Sequence, residues 1–249
     1  SFENLLASNK LLIGYLMQKR YALGYGYFDF INKYPEAYSK FTSFIKQYFK
    51  DISMRDYFLR QNNKVSLNNS KISIFFNSIP ELRDALLLMN NSRFRRPFKS
   101  KNILLHSINP DKGKTSLIRA LEKFYKVFVF PSDNWFDGYR NNYYDFIKWN
   151  EVSFVGFKLT DLNLLLEGSE VLLPVKGSKL YKDDNPLILM TSNFSLRRLI
   201  LMKFTFKSEE FISQVEKILS SRIISIDCSK LDLFSIINQL NNEFNDIKK

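Results

Sequence analysis

Ser107-Ile108-Asn109-Pro110-Asp111-Lys112-Gly113-Lys114-Thr115-Ser116 directly follows the apolar run Ile103-Leu104-Leu105. A short apolar strand, a polar loop and then Gly-Lys-Thr opening a helix present backbone N–H groups and the positive helix end to phosphate. Gly113 permits close backbone approach, Lys114 reaches the outer phosphates and Thr115 places its hydroxyl on magnesium. Asn109, Pro110, Asp111, Lys112 and Ser116 complete the expected cradle. The full pattern has glycine six residues before the lysine, where this chain has Ile108. A loop without that glycine still wraps phosphate if its backbone needs no positive φ there, and Pro110 stiffens it.

Reading outward, the apolar segments Asn102 to His106, Lys126 to Phe130, Asp145 to Trp149 and Leu187 to Thr191 are expected as strands. Helices are expected from Ser116 to Phe124 and from Asp161 to Leu166, an alternation that suits a parallel sheet covered by helices. The third strand ends in Asn150-Glu151 and the fourth in Thr191-Ser192-Asn193. An acid at a strand terminus beside a phosphate loop orients water for in-line attack, which makes Glu151 the candidate base. Asn150 takes the magnesium-side position without bringing charge, and the pair can equally cap a strand and begin a turn. A strand-terminal Asn193 hydrogen-bonds a terminal phosphate or the attacking water while staying neutral. Val171 to Tyr181, with Pro174 and Gly177, reads as a hairpin or exposed loop. Glu209 to Leu219 and Leu231 to Phe244 read as closing helices, with Ser229 and Asp232 as a capping pair.

The first part of the chain reads as helical. Leu5, Leu6, Leu12, Ile13 and Leu16 recur at helical spacing, and Phe41, Phe44, Ile45, Tyr48 and Phe49 form one broad stripe. Lys71 to Phe76 is expected as a short strand or extended link. Ser78 and Glu81 form a capping box for a helix from Pro80 to Asn90. The basic link Arg93-Phe94-Arg95-Arg96-Pro97 then marks a domain boundary near residue 98.

The 249 residues are 45% apolar and carry a formal charge of +12, enough chain to bury a core and enough charge to raise the expectation of a polyanionic partner. Of the 37 basic residues 16 lie in the first hundred, against 7 of the 25 acidic ones, so charge-driven contacts favour that segment; solubilising lysine is the alternative reading. Cys228 is the sole cysteine and His106 the sole histidine. Intrachain disulfides, cysteine-based zinc or iron–sulfur sites and nucleases needing a histidine pair are therefore excluded. His106 reads as a structural residue at a strand end. No apolar run approaches the roughly 18 residues of a membrane span, and no secretion signal opens the chain, so an intracellular location is expected. The chain begins at Ser1 without an initiator Met, which leaves room for a domain ahead of it.

Four features together resemble the superfamily-3 helicase domain of replication initiator proteins from circular single-stranded DNA viruses and related plasmids. They are Gly113-Lys114-Thr115, Asn150-Glu151 after an aromatic stretch containing Trp135, Tyr139 and Tyr144, the Lys176-Gly177-Ser178-Lys179 loop, and Thr191-Ser192-Asn193. The resemblance covers about residues 80–228. It implies an α/β, AAA+-like P-loop NTPase with a parallel sheet and an N-terminal helical domain: residues 1–98 as an oligomerisation collar, 99–249 as the ATPase. It further implies ATP and Mg2+ as cofactors, a ring that is normally hexameric, and single-stranded DNA in the pore, touched by Lys176 and Lys179 with Gly177 allowing the turn. An arginine from a neighbouring subunit would complete the site; Arg222 is the first choice, with Arg197 and Arg198 as alternatives. The family's upstream endonuclease domain is absent from this chain. The expected setting is the host nucleus or cytoplasm, depending on source. Ile108 and Asn150 depart from the family pattern, so a non-hydrolysing ring scaffold stays open, as does an RNA helicase of an RNA virus or a P-loop NTPase acting on protein or small molecules.

Overall fold

The computed structural model describes residues 9–22 and 26–248. It shows a mixed α/β fold with an N-terminal helical region and a parallel β-sheet, and the chain divides into two compact units between Asn63 and Lys64. Leu5 and Leu6 lie outside the described residues.

The first unit contains α1 (Lys10–Ala22), α2 (Tyr27–Lys33) and α3 (Pro35–Asn62). Pro35 sits in the first turn of α3, where its missing N–H has no helical acceptor to lose. Ile45 and Phe49 from the expected stripe are buried with Ile13, Met17 and Phe30, while Phe41, Phe44 and Tyr48 pack around them half-buried.

The second unit starts with α4 (Asn69–Phe75) and α5 (Pro80–Ser92). Residues 71–76 are thus not a strand or link. The Asn68 side chain accepts from the Lys71 N–H at 2.8 Å and caps a helix whose Ile72 is buried with the neighbouring Phe76. Helix α5 runs two residues past its expected end, and its cap position is Ile79, with no side-chain cap bond from Ser78. Both helices bury their apolar faces in the same cluster as the sheet residues Ile103, Leu105, Phe146, Leu187 and Leu189. That shared core is why the units divide near residue 63 and not near 98. The basic segment is itself part of the fold: Arg96 is buried, donating to Asn102 Oδ1 at 2.8 Å and to the Lys101 carbonyl at 2.9 Å.

The sheet comprises β1 (Asn102–His106), β2 (Val127–Val129), β3 (Phe146–Trp149), β6 (Leu187–Ser192) and β7 (Ile223–Asp227), in the order β2-β3-β6-β1-β7, every pair parallel. Helices α6 (Lys114–Leu121) and α10 (Leu233–Ile247) share the cluster with α4 and α5. Leu104, Ile147, Ile188 and Met190 alternate onto the opposite face and are equally buried. On the connection from β6 to β7, α8 (Leu196–Lys203) and α9 (Glu209–Ser220) bury Leu199, Ile200, Ile212 and Val215 outside that first cluster. Helix α7 (Leu159–Glu167) leads into the antiparallel hairpin β4 (Val171–Val175) and β5 (Ser178–Lys182). Among the described residues no helix is long and apolar enough to cross a membrane.

This strand order has a consequence for ligands. The connection leaving β1 runs toward the β2 edge, whereas the one leaving the adjacent β6 runs toward β7. A crevice therefore opens between their carboxyl ends, which is where open α/β sheets receive ligands.

Candidate phosphate site and adjoining clefts

Strand β1 ends at His106, and residues 107–113 lead from it to the first turn of α6. The loop is shaped by its own bonds: the Ser107 hydroxyl donates to the Asn109 carbonyl at 3.1 Å, and the Ser107 N–H to the Ser192 carbonyl at 3.3 Å. Its left-handed residues are Asp111 (φ 61°) and Gly113 (φ 79°). Ile108 has no positive φ, so the missing glycine leaves the backbone path unstrained. Aspartate tolerates the left-handed region better than most residues, and Gly113 occupies it at no steric cost.

Among the described residues, the N–H groups of Asp111, Lys112, Gly113, Lys114 and Thr115 have no hydrogen-bond partner. They border a cleft of about 210 Å³ lined by Pro110 to Ser116, Glu151, Thr191, Ser192 and Asn193. Unpaired donors, a helix start and the buried ammonium of Lys114 suit this cleft to an anion with several oxygens. The Lys114 ammonium donates to Asn193 Oδ1 at 3.4 Å, tying the loop after β1 to the turn after β6.

Glu151 reaches the cleft from β3. Its backbone is left-handed (φ 48°), its N–H donates to Thr191 Oγ1 at 3.3 Å, and its side chain is exposed. A left-handed glutamate is uncommon, and such strain gathers at functional turns. The same turn separates it from its neighbour. Asn150 does not line the phosphate cleft but a second one of about 410 Å³, with Phe130, Ser132, Asn134, Trp149 and Ser153; Glu151 borders both. The structure thus brings Lys114, Thr115, Glu151 and Asn193 together and leaves Asn150 aside. Asn109 also turns away, into a third cleft of about 770 Å³ with His106, Ile108, Asn193, Phe194, Arg198 and Asp227. Burial holds the His106 imidazole below its ordinary pKa, the Asp227 carboxylate opposing and Lys114 assisting, so it is neutral at pH 7.

Arg222 lies elsewhere. It precedes β7, so it sits at the amino-terminal end of the sheet, opposite the cleft, and its carbonyl accepts from the Asn102 N–H at 2.7 Å. Its guanidinium pairs with Glu167 at 2.7 Å and donates to the Ile218 carbonyl at 2.8 Å. Arg197 is paired with Glu209 and Glu216. Arg198 is exposed, lines the third cleft beside Asn193 and has no ion-pair partner among the described residues.

The Glu167 pair carries a stability prediction. Burial alone would raise this carboxyl, yet hydrogen bonds from Arg222 and Ser169 hold it below the ordinary 4.5. A depressed carboxylate contributes stability that is present above 4.5 and lost as pH falls through the folded value. Arg222→Ala is expected to cost about 2 kcal/mol at pH 7, a melting shift of about 6 °C, with the difference shrinking toward pH 3. Thermal scans of both proteins across that range check it.

At the hairpin tip, Val175 pairs with Ser178, leaving Lys176 and Gly177 as the turn. Gly177 supplies the left-handed conformation there (φ 79°). Lys176 and Lys179 are exposed; the Lys176 N–H donates to Asp137 Oδ1 at 2.9 Å, and its ammonium lies 3.9 Å from the same carboxylate. The hairpin's base is held by buried Lys182 and Asp184, with the Tyr139 hydroxyl donating to Asp184 at 2.7 Å. Tyr144 is buried against Phe128 and Tyr139, which accounts for it as a packing residue.

Among the described residues no three His, Cys, Asp or Glu side chains gather as a metal cage. Magnesium fits this site only in its phosphate-bound form, which needs one or two protein groups beside phosphate oxygens and water. Thr191 and Ser192 escape the sequence reading as site residues, although Thr191-Ser192-Asn193 is already singled out as a unit, and Arg198, there an alternative arginine, is the one that lines a cleft beside Asn193. No family model matches the chain, and no curated protein matches its sequence.

Proposed function

We propose that this chain binds Mg–ATP on the loop from Pro110 to Thr115 and hydrolyses it to drive movement along single-stranded DNA, as the superfamily-3 helicase domain it resembles does. One observation carries the reading: Lys114, Glu151 and Asn193, which follow three different strands, border one cleft with unpaired N–H groups. That is the set of groups phosphoryl transfer to water requires, a phosphate cradle, a water-orienting acid and a neutral contact at the terminal phosphate.

In this mechanism the loop N–H groups and Lys114 hold the phosphates, and Thr115 is the residue whose hydroxyl would hold magnesium. Magnesium supplies neutralisation of phosphate charge when bound. Glu151 takes the proton of a water whose oxygen attacks the γ-phosphorus as the bond to the β-phosphate oxygen breaks. Asn193, bonded to Lys114, reports the loss of the γ-phosphate. Arg198, on this chain's own cleft beside Asn193, supplies the positive charge at the γ end that the resemblance assigns to a neighbouring subunit's arginine, since Arg222 and Arg197 are committed to carboxylates. The helical unit serves as the collar of a ring, and Lys176 and Lys179 contact DNA phosphates.

The nucleic-acid half of the proposal is tested at the hairpin. Replacing Lys176 and Lys179 by alanine is expected to weaken single-stranded DNA binding about tenfold. Two lost phosphate contacts should make the slope of log K on log salt shallower by about 1.4. ATP hydrolysis without DNA should be unchanged, and its stimulation by DNA should fall. Unaltered affinity and slope would remove the hairpin from the interface.

A second reading is favoured by the 770 Å³ cleft beside Asn193, which leaves room next to the phosphate site for a second ligand. It corresponds to an NTPase acting on protein or a small molecule. Turnover indifferent to DNA and RNA would favour it.

A further inference from the structure

The strand order sets the direction of a bound nucleotide. Strands β3 and β6, which carry Glu151 and Asn193 at their ends, lie to one side of β1, and β7 lies to the other. A triphosphate whose γ end rests at Glu151 and Asn193 therefore sends its α-phosphate and nucleoside toward the β7 side of the loop. The elements met there are the end of β7, where Asp227 and Ser229 line the 770 Å³ cleft, and next to it the start of α10.

The first turn of α10 is built rigidly against the loop. Asp232 caps it, accepting from the Ser235 N–H at 3.1 Å, and Leu233, Ile236 and Ile237 are buried in one cluster with Leu117 and Leu121 of α6. Phe234 alone in this turn turns outward as a large apolar side chain, 54% exposed. Its Cζ lies 3.5 Å from where a Cβ on Gly113 would stand, so the ring edge meets the phosphate loop itself. A single exposed phenylalanine is ordinary; one held against a phosphate loop on the nucleoside side is placed to do something.

We infer that Phe234 is the stacking platform for the nucleobase of the bound nucleotide. The inference rests on the phosphate-site reading and adds what holds the other end of the ligand. Every base has a π-face, so a flat aromatic surface binds bases without reading their edges. Affinity should therefore be alike for ATP and GTP.

Mg–ATP and Mg–tripolyphosphate, titrated separately into the whole chain, test this together with Phe234→Ala and Phe234→Tyr. Phe234→Ala is expected to weaken Mg–ATP about tenfold and to leave Mg–tripolyphosphate unchanged, because only the former has a base. Phe234→Tyr keeps the ring and should stay within about twofold of the parent. Equal losses for both ligands, or no loss for Mg–ATP while tripolyphosphate binds, would overturn the platform and leave the phosphate site standing. Failure of the parent chain to bind either ligand would instead overturn the phosphate site and the platform with it.

Discussion

Lys114→Ala is expected to weaken Mg–ATP binding by about a hundredfold. The ammonium is buried at the loop's entrance to α6 and donates to Asn193, so its removal takes away the buried positive charge of the cleft and leaves only the more exposed Lys112. Truncating one partner of a desolvated charge pair costs about 3 kcal/mol, which is a hundredfold in affinity. The loss belongs to binding and not to folding. The fold's apolar cluster lies beneath the loop, and the remaining Asn193 amide borders an open cleft where water can satisfy it. Titration calorimetry with a parallel thermal scan checks both parts: near-parental affinity would remove Lys114 from the phosphate site.

Glu151→Gln should divide the two steps that Lys114→Ala merges. Glutamine keeps the size and the left-handed turn but cannot take a proton from water, so turnover should fall about a hundredfold while Mg–ATP affinity stays within a few-fold. Because Glu151 is exposed and its backbone bond to Thr191 is unchanged by the substitution, melting should not move. Steady-state hydrolysis with and without single-stranded DNA is the measurement. Unchanged turnover would mean that another group handles the water. A parent chain that assembles and binds ATP with no turnover at all would favour the ring scaffold.

The parts of this fold that were legible in the sequence are those decided locally. The run Ile103-Leu104-Leu105, bounded by a polar loop, marks β1 within its true limits, and Pro174 and Gly177 mark the hairpin. What escaped was decided by distant partners. Arg96 reads as part of a basic link because its acceptors, at Asn102 and Asn185, are supplied by strand starts elsewhere in the chain. Strand β7 escaped because it lies at the sheet's edge, where only Ile223 is buried and Ser225 and Asp227 face outward, so no continuous apolar run announces it. Residues 71–76 carry strand-favouring Ile72, Ile74 and Phe76, yet the Asn68 cap and burial of Ile72 and Phe76 against the second unit's core select a helix. At the site, the strand ends named Glu151 and Asn193, but the left-handed turn that carries Asn150 into another cleft has no sequence signature. Nor does spacing reveal which arginine is free, since Glu167, Glu209 and Glu216 make that choice in three dimensions.

The proposed seat for the phosphates of a nucleoside triphosphate is the set of N–H groups from Asp111 to Thr115. Calorimetric titration of Mg–ATP into the folded chain, at concentrations up to about 1 mM, asks this directly. Saturable binding with one nucleotide per chain is the expected result. A folded chain that takes up no heat from Mg–ATP or Mg–GTP over that range would contradict it.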